Sequence, residues 1–276
     1  MTQPRSRPLR LHPFLRLLAT WVLLLAGASA TVLAARPAAQ EDGTAAAPLQ
    51  LVVVTISDWD ATTGTLRYYG RATPDAPWRE AGRFAVSIGR SGAAWGEGLH
   101  PAADQGEGPA KREGDGRSPA GVFALGPAFG YLPADEVDTT LPYRRMDASH
   151  WCMDVPGSPH YNRIVDAREV GQAAVAGSSE PMRLDLHHDG DPRYRLGLVI
   201  AHNPGNTPGH GSCIFAHLWR QPGEPTAGCT AMAEEDMRRL LAWLDPAAQP
   251  RFVLLPRTEY ARLAPRWDLP AAGSAR

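Results

Sequence analysis

Leu49-Gln50-Leu51-Val52-Val53-Val54-Thr55-Ile56 is the run that decides the class of fold. A β-branched, largely apolar stretch of this kind is typical of a buried strand. Working outward from it, Thr62-Thr63-Gly64 supplies a turn and Thr65–Tyr69 a returning strand. Phe84, Val86 and Ile88 alternate with Arg83, Ala85 and Ser87, the period of a half-buried strand. Further strands are expected at Gly121–Leu125, Tyr194–Ala201 and Arg251–Leu255. Gly89–Gly121, rich in glycine, proline and charge, reads as a long loop of the sort that is more often functional than idle. One helix is clear. Met237, Leu240, Leu241 and Leu244 share a face, Glu234, Glu235 and Asp236 occupy its first turn, and Pro246 stops it. With no internal repeat, the expectation is a single mainly β domain over residues 49–256, followed by a tail, 257–276, that packs back on it or frays.

The whole chain has 276 residues, a length open to one large domain or two small ones. With 28 Lys+Arg against 29 Asp+Glu it lacks the basic excess that nucleic-acid binding requires. A hydrophobic content of 43% excludes wholesale disorder. Arg5, Arg7, Arg10 and Arg16 precede an apolar run, Leu17–Ala30, closed by Ala28-Ser29-Ala30, the small-x-small pattern of a signal peptidase site. Residues 1–30 are therefore expected to be a signal peptide. The alternative is an uncleaved anchor, since the run continues to Ala35. Residues 31–48 then form a tether, Ala- and Pro-rich in their later part. Loss of residues 1–30 removes four arginines and no acid, leaving 24 basic and 29 acidic residues. A periplasmic or other extracytoplasmic location follows on either reading, with any membrane contact confined to an uncleaved N-terminal segment.

In an oxidising compartment three cysteines, Cys152, Cys213 and Cys229, leave one thiol over. Two of them lie in the stretch richest in chemistry, residues 200–232, beside His202, His210 and His217. Cys229 follows Thr226-Ala227-Gly228, small residues that admit a tight turn and a close substrate. His217 ends an expected strand, Ile214-Phe215-Ala216-His217. A cysteine nucleophile needs a neighbouring base and backbone N–H groups for an oxyanion; His217 and the Gly228–Cys229 amides can supply both. A metal site built from His202, His210, Cys213 and His217 is the rival, but the spacings match no familiar zinc pattern. Gly116-Arg117-Ser118-Pro119-Ala120 lacks the closing glycine of a serine elbow, and no phosphate-cradling glycine motif is present.

Gly211-Ser212-Cys213-Ile214-Phe215-Ala216-His217, followed by Pro225-Thr226-Ala227-Gly228-Cys229-Thr230-Ala231-Met232, resembles the catalytic segment of L,D-transpeptidase (YkuD-type) proteins. More specifically it resembles a branch with Thr-Ala-Gly-Cys in place of Ser/Thr-His-Gly-Cys. Gly116–Phe123, Ser158–Asn162 and Tyr194–Asn203 agree with it, so the resemblance covers most of residues 50–270. It implies a β-sandwich-like fold of mixed sheets and action on peptidoglycan stem peptides, with no metal or cofactor. By position, Cys229 is the nucleophile, His217 the base and Gly228 an oxyanion amide. The chain departs from the commoner motif at Ala227, where a histidine is usual, and at Thr230, where arginine or asparagine is common. Arg220, in the same loop, is placed to replace a missing polar group. Tyr161 and Asn162 are assigned to the substrate groove, with surface loop residues as the alternative. Cys152 and Cys213 then pair in a bridge closing about 60 residues, worth roughly 4 kcal/mol in the chain-entropy model; two buried thiols are the alternative. The implied activity is transpeptidation through a Cys229 thioester. A carboxypeptidase or hydrolase with the same nucleophile and a non-catalytic cell-wall-binding protein are the other readings. An active Cys229 is expected to have a low pKa and to alkylate quickly.

Overall fold

The computed structural model describes residues 47–271. The expected signal peptide and most of the tether lie outside the described residues. Among those residues no helix is long and apolar enough to cross a membrane.

The chain is mainly β. Strands β1 (Gln50–Ile56), β2 (Thr63–Gly70) and β3 (Arg79–Ser87) follow one another as antiparallel neighbours. Then come β4 (Ala93–Trp95), β5 (Ser118–Gly130) and β6 (Tyr143–Arg145). A small sheet is formed by β7 (His150–Cys152), β8 (Ile164–Asp166) and β9 (Glu180–Pro181), in the order β8-β7-β9. β10 (Leu196–Ile200), β11 (Phe215–Leu218), β12 (Thr230–Met232) and β13 (Arg251–Pro256) complete the set. The main sheet runs β10-β11-β12-β3-β2-β1-β13-β5-β4, with β6 on β5. β1–β13, β11–β12, β4–β5 and β5–β6 are parallel and the remaining pairs antiparallel. The layers expected of a sandwich are thus parts of one mixed sheet that closes on itself, because β5 changes partner along its length. Gly121–Ala124 pair with β13, and Leu125–Gly130 with β10 across an irregular register.

Alternate residues of these strands face inward and outward. Leu198, Ala128, Ala216 and Leu218 point into the main core with β1 and β13, whereas Phe129, Val199, Phe215 and Cys229 point the other way. That outer face is covered by residues 146–194, which carry the small sheet and the short helices α1 (Ala167–Val170), α2 (Gln172–Val175) and α3 (Leu184–His187). Met146, Met182, Leu184 and Tyr194 come from this cover to form a separate apolar cluster over the outer face.

Helix α4 (Glu234–Trp243) buries Met237, Leu240 and Leu241, as the periodicity predicts. Its last carbonyls are met by Thr139 Oγ1 on Leu241 at 3.1 Å and Thr140 Oγ1 on Leu244 at 3.0 Å. The tail forms α5 (Arg257–Leu263), and Tyr260, Leu263, Ala264 and Leu269 join the main core. Gly89–Gly121 is more ordered than a loop reading allows: β4 lies within it, and Arg117 Nη1 donates to the carbonyls of Trp59 and Ala93 at 3.1 and 3.0 Å.

Candidate active site

Cys229 directly precedes β12 and pairs across the sheet with the start of β11. Ala216 is in register with Thr230 and His217 with Ala231, so Phe215 lies opposite Cys229. Phe215, His217 and Cys229 accordingly project from the same outer face, the thiol and the imidazole diagonal to each other on adjacent strands. Gly197 lies opposite His217 on β10, and a Cβ there would meet the Phe129 ring at 2.5 Å. Only glycine leaves room for that ring next to the histidine.

His217 is 3% exposed, and its Nδ1 lies 2.7 Å from the Leu218 carbonyl oxygen. A carbonyl only accepts, so Nδ1 carries the proton and Nε2 keeps its lone pair. Burial pushes the imidazole down to about 4, leaving it neutral at physiological pH. The Tyr194 ring meets it edge-on at 5.4 Å.

Cys229 is 8% exposed and is the free cysteine; Cys152 and Cys213 form the disulfide. Its Sγ accepts from the Phe215 N–H at 3.3 Å and donates to the Cys213 carbonyl at 3.5 Å. Burial, and then the charge of Glu180, push the thiol up to about 12. This differs from the low pKa expected of an active cysteine. The physical reason is the cover, which removes water from the sulfur and brings a carboxylate near it, while Arg193 and Lys111 act more weakly in the opposite sense.

The turn before the thiol is fixed from both sides. The Cys229 carbonyl accepts from Ser118 Oγ at 3.1 Å and Thr226 Oγ1 at 2.6 Å. Gly228 has φ +152°, which favours glycine, and its N–H donates to Thr226 Oγ1 at 3.0 Å. The amide assigned to the oxyanion is therefore engaged in this structure, whereas the Cys229 N–H has no acceptor among the described residues.

Tyr161 and Asn162 are brought to the loop that leads into β11 rather than to the sulfur. Asn162, at φ +61°, donates through Nδ2 to the carbonyls of His202 and Asn203, both at 3.0 Å. Its Oδ1 accepts from the Cys213 N–H at 3.0 Å. The buried Tyr161 hydroxyl and Ser212 Oγ both donate to Glu113 Oε2, the latter at 2.7 Å. Burial, and then Glu113, push the Tyr161 hydroxyl up to about 12. These two residues clamp the loop carrying the disulfide. Arg220 is exposed and pairs with Glu224, with Asp191 at 4.0 Å. It is not brought to the thiol. A cleft of about 430 Å³ opens on the same outer face, lined in part by Phe129, Val199, Phe215 and the disulfide. Neither Cys229 nor His217 lines it.

Four neighbours of the site are given no part in the chemistry by the sequence, although Ser118 and Thr226 stand in stretches it singles out, those that carry the family resemblance. A hydroxyl three residues before the cysteine was a usable signal. Glu180 and Tyr194 carry no pattern that ties them to residues 217–229. Lys111, the one lysine of the chain, is buried beside Gly211; its Nζ donates to Asp115 Oδ1 at 2.6 Å and to the Arg112 carbonyl at 2.7 Å. Among the described residues no three His, Cys, Asp or Glu side chains gather as a metal site would require. Compared with known proteins, the chain matches no family model and no curated protein.

Proposed function

We propose that this chain is an exported, cysteine-dependent L,D-transpeptidase that acts on peptidoglycan stem peptides. The supporting observation is the placement of Cys229 and His217 on one face of adjacent parallel strands, the imidazole held in the tautomer that leaves Nε2 basic. In this mechanism the thiol attacks the carbonyl of the residue at stem position three. Nε2 takes the thiol proton as the C–S bond forms, and the Cys229 N–H faces the developing oxyanion. The C–N bond then breaks, the terminal D-alanine leaves with the proton held by His217, and a thioester remains. An amine from a second stem resolves it into a cross-link; water would yield a shortened stem instead. Because thiol and imidazole are both neutral at rest, proton transfer accompanies attack rather than preceding it. The burial of Cys229 requires that substrate displace part of the 146–194 cover.

The same burial favours a second reading, a cell-wall-binding module whose cysteine never ionises. Intact mass after incubation with a carbapenem separates the two. One covalent adduct that requires Cys229 and slows in His217→Ala is expected of the transpeptidase. A folded chain that gains no adduct would leave the binding module.

A further inference from the structure

A carboxylate beside a thiol nucleophile works against the first half-reaction, since its charge opposes the developing thiolate. Glu180 does so here. It is nonetheless held firmly in place. Its N–H donates to Ser178 Oγ at 3.1 Å, and its Oε1 accepts from the Tyr194 hydroxyl at 2.5 Å. The Tyr194 ring is wedged edge-on between His217 at 5.4 Å and Phe215 at 5.6 Å, the residues that flank the thiol on β11. Oε2 has no hydrogen-bond partner among the described residues. Arg193, the cation that acts on Glu180, spends its hydrogen bonds on Asp191, at 3.0 and 2.9 Å. Asp154 and Glu113 add like charge rather than neutralising it. Burial lifts the carboxyl to about 7, so both its forms are populated near neutral pH.

Such a group gains a use once the thioester has formed. The sulfur then carries no charge to oppose, and an acceptor amine arrives as an ammonium ion. We propose that Glu180 binds the acceptor ammonium through Oε2 and takes one of its protons, so that the free amine attacks the Cys229 thioester. This rests on the thioester chemistry proposed above. The amine nitrogen forms the new C–N bond and passes a second proton to His217 Nε2. The C–S bond breaks with its electron pair on sulfur, which recovers that proton from His217. Glu180 returns its own proton to solvent. Tyr194 is a positioning residue that aims the carboxylate.

Glu180→Gln keeps an oxygen for Tyr194 and removes the charge, so it separates the two half-reactions. The full chain, wild type and variant, is first acylated with a carbapenem. In a separate arm, with no carbapenem added, each is given a stem tetrapeptide ending in D-alanine, and dimer and tripeptide products are read by mass spectrometry. The expected variant acylates faster than wild type, because the opposing charge is gone, yet its dimer-to-tripeptide ratio falls by ~100-fold, the weight of a lost proton acceptor. A purely structural role would slow both steps. An unchanged ratio overturns the assignment, whether both products hold steady or both fall equally, the latter making Glu180 a base for water and amine alike. A variant that no longer acylates also overturns it, since Glu180 would then serve the first step. A wild type that takes no adduct overturns the transpeptidase reading and this inference together, a result distinct from failure of the variant alone.

Discussion

The buried thiol makes a quantitative demand on reactivity. With Cys229 pushed up to about 12, only about one molecule in ten thousand carries a thiolate at pH 8. A free cysteine near 8.5 is about one quarter ionised at that pH. Iodoacetamide, which needs the thiolate and draws nothing from His217, should therefore modify Cys229 on the order of a thousandfold more slowly than a free thiol. The assay is intact mass against time in iodoacetamide, with glutathione in the same tube as reference and Cys229→Ala as the blank. Urea should abolish the protection, because unfolding returns the sulfur to water. Alkylation within tenfold of glutathione under native conditions would refute the electrostatic reasoning, and would mean that the cover opens freely. Slow alkylation together with ready acylation by a carbapenem would identify a thiol activated only when a carbonyl substrate sits against His217.

Asn162→Ala removes three hydrogen bonds to the loop before β11 and leaves a left-handed φ without a residue suited to it. The loss should be about 3 kcal/mol in chemical denaturation, and a change below about 1 kcal/mol would show that the clamp is not used. Cys152→Ser opens a bridge of sequence separation 61 and should cost about 4 kcal/mol, with a matching fall in melting temperature; an unchanged midpoint would refute this. His217 and His202 are both pushed down to about 4 by burial, so the unfolded chain binds protons in acid that the folded chain refuses. The histidine contribution is then fully present above about pH 6.5 and falls towards pH 4, by about 3–4 kcal/mol between pH 7 and 5. Glu180, raised to about 7, takes up a proton over the same range and offsets about 2 kcal/mol of this, so stability falls by about 1–2 kcal/mol in all. Denaturation midpoints that coincide at those two pH values would contradict neutral burial.

Legibility in the sequence followed the kind of signal available. β1 was readable because its apolar run is unbroken, and α4 because its four apolar positions repeat at helical spacing. β5 is legible only from Gly121 to Leu125, since Pro119, Gly126 and Pro127 look like strand breakers. In the structure Gly126 and Pro127 stand at the register irregularity just after the strand has passed from β13 to β10, so the residues that hid the strand lie beside the point at which the sheet closes. β7, β8 and β9 are two or three residues long, too short for any period to show. Cys229 and His217 were legible because a tight glycine turn and a strand-end histidine leave a local signature. Glu180 was not, because only the folding of the 146–194 cover carries it to the thiol. Tyr161 and Asn162, expected in the groove, fasten the adjoining loop, and Asn162 also lines the cleft on that face.

Lys111 has a practical consequence. Its side chain is 4% exposed and its ammonium is committed to Asp115 and the Arg112 carbonyl, at the flank of the loop that Asn162 fastens. The native fold therefore offers amine-directed labels no side chain, and the chain cannot acylate a lysine of its own in passing. Uptake of such a label at residue 111 becomes a built-in gauge of how often the wall of the site comes apart.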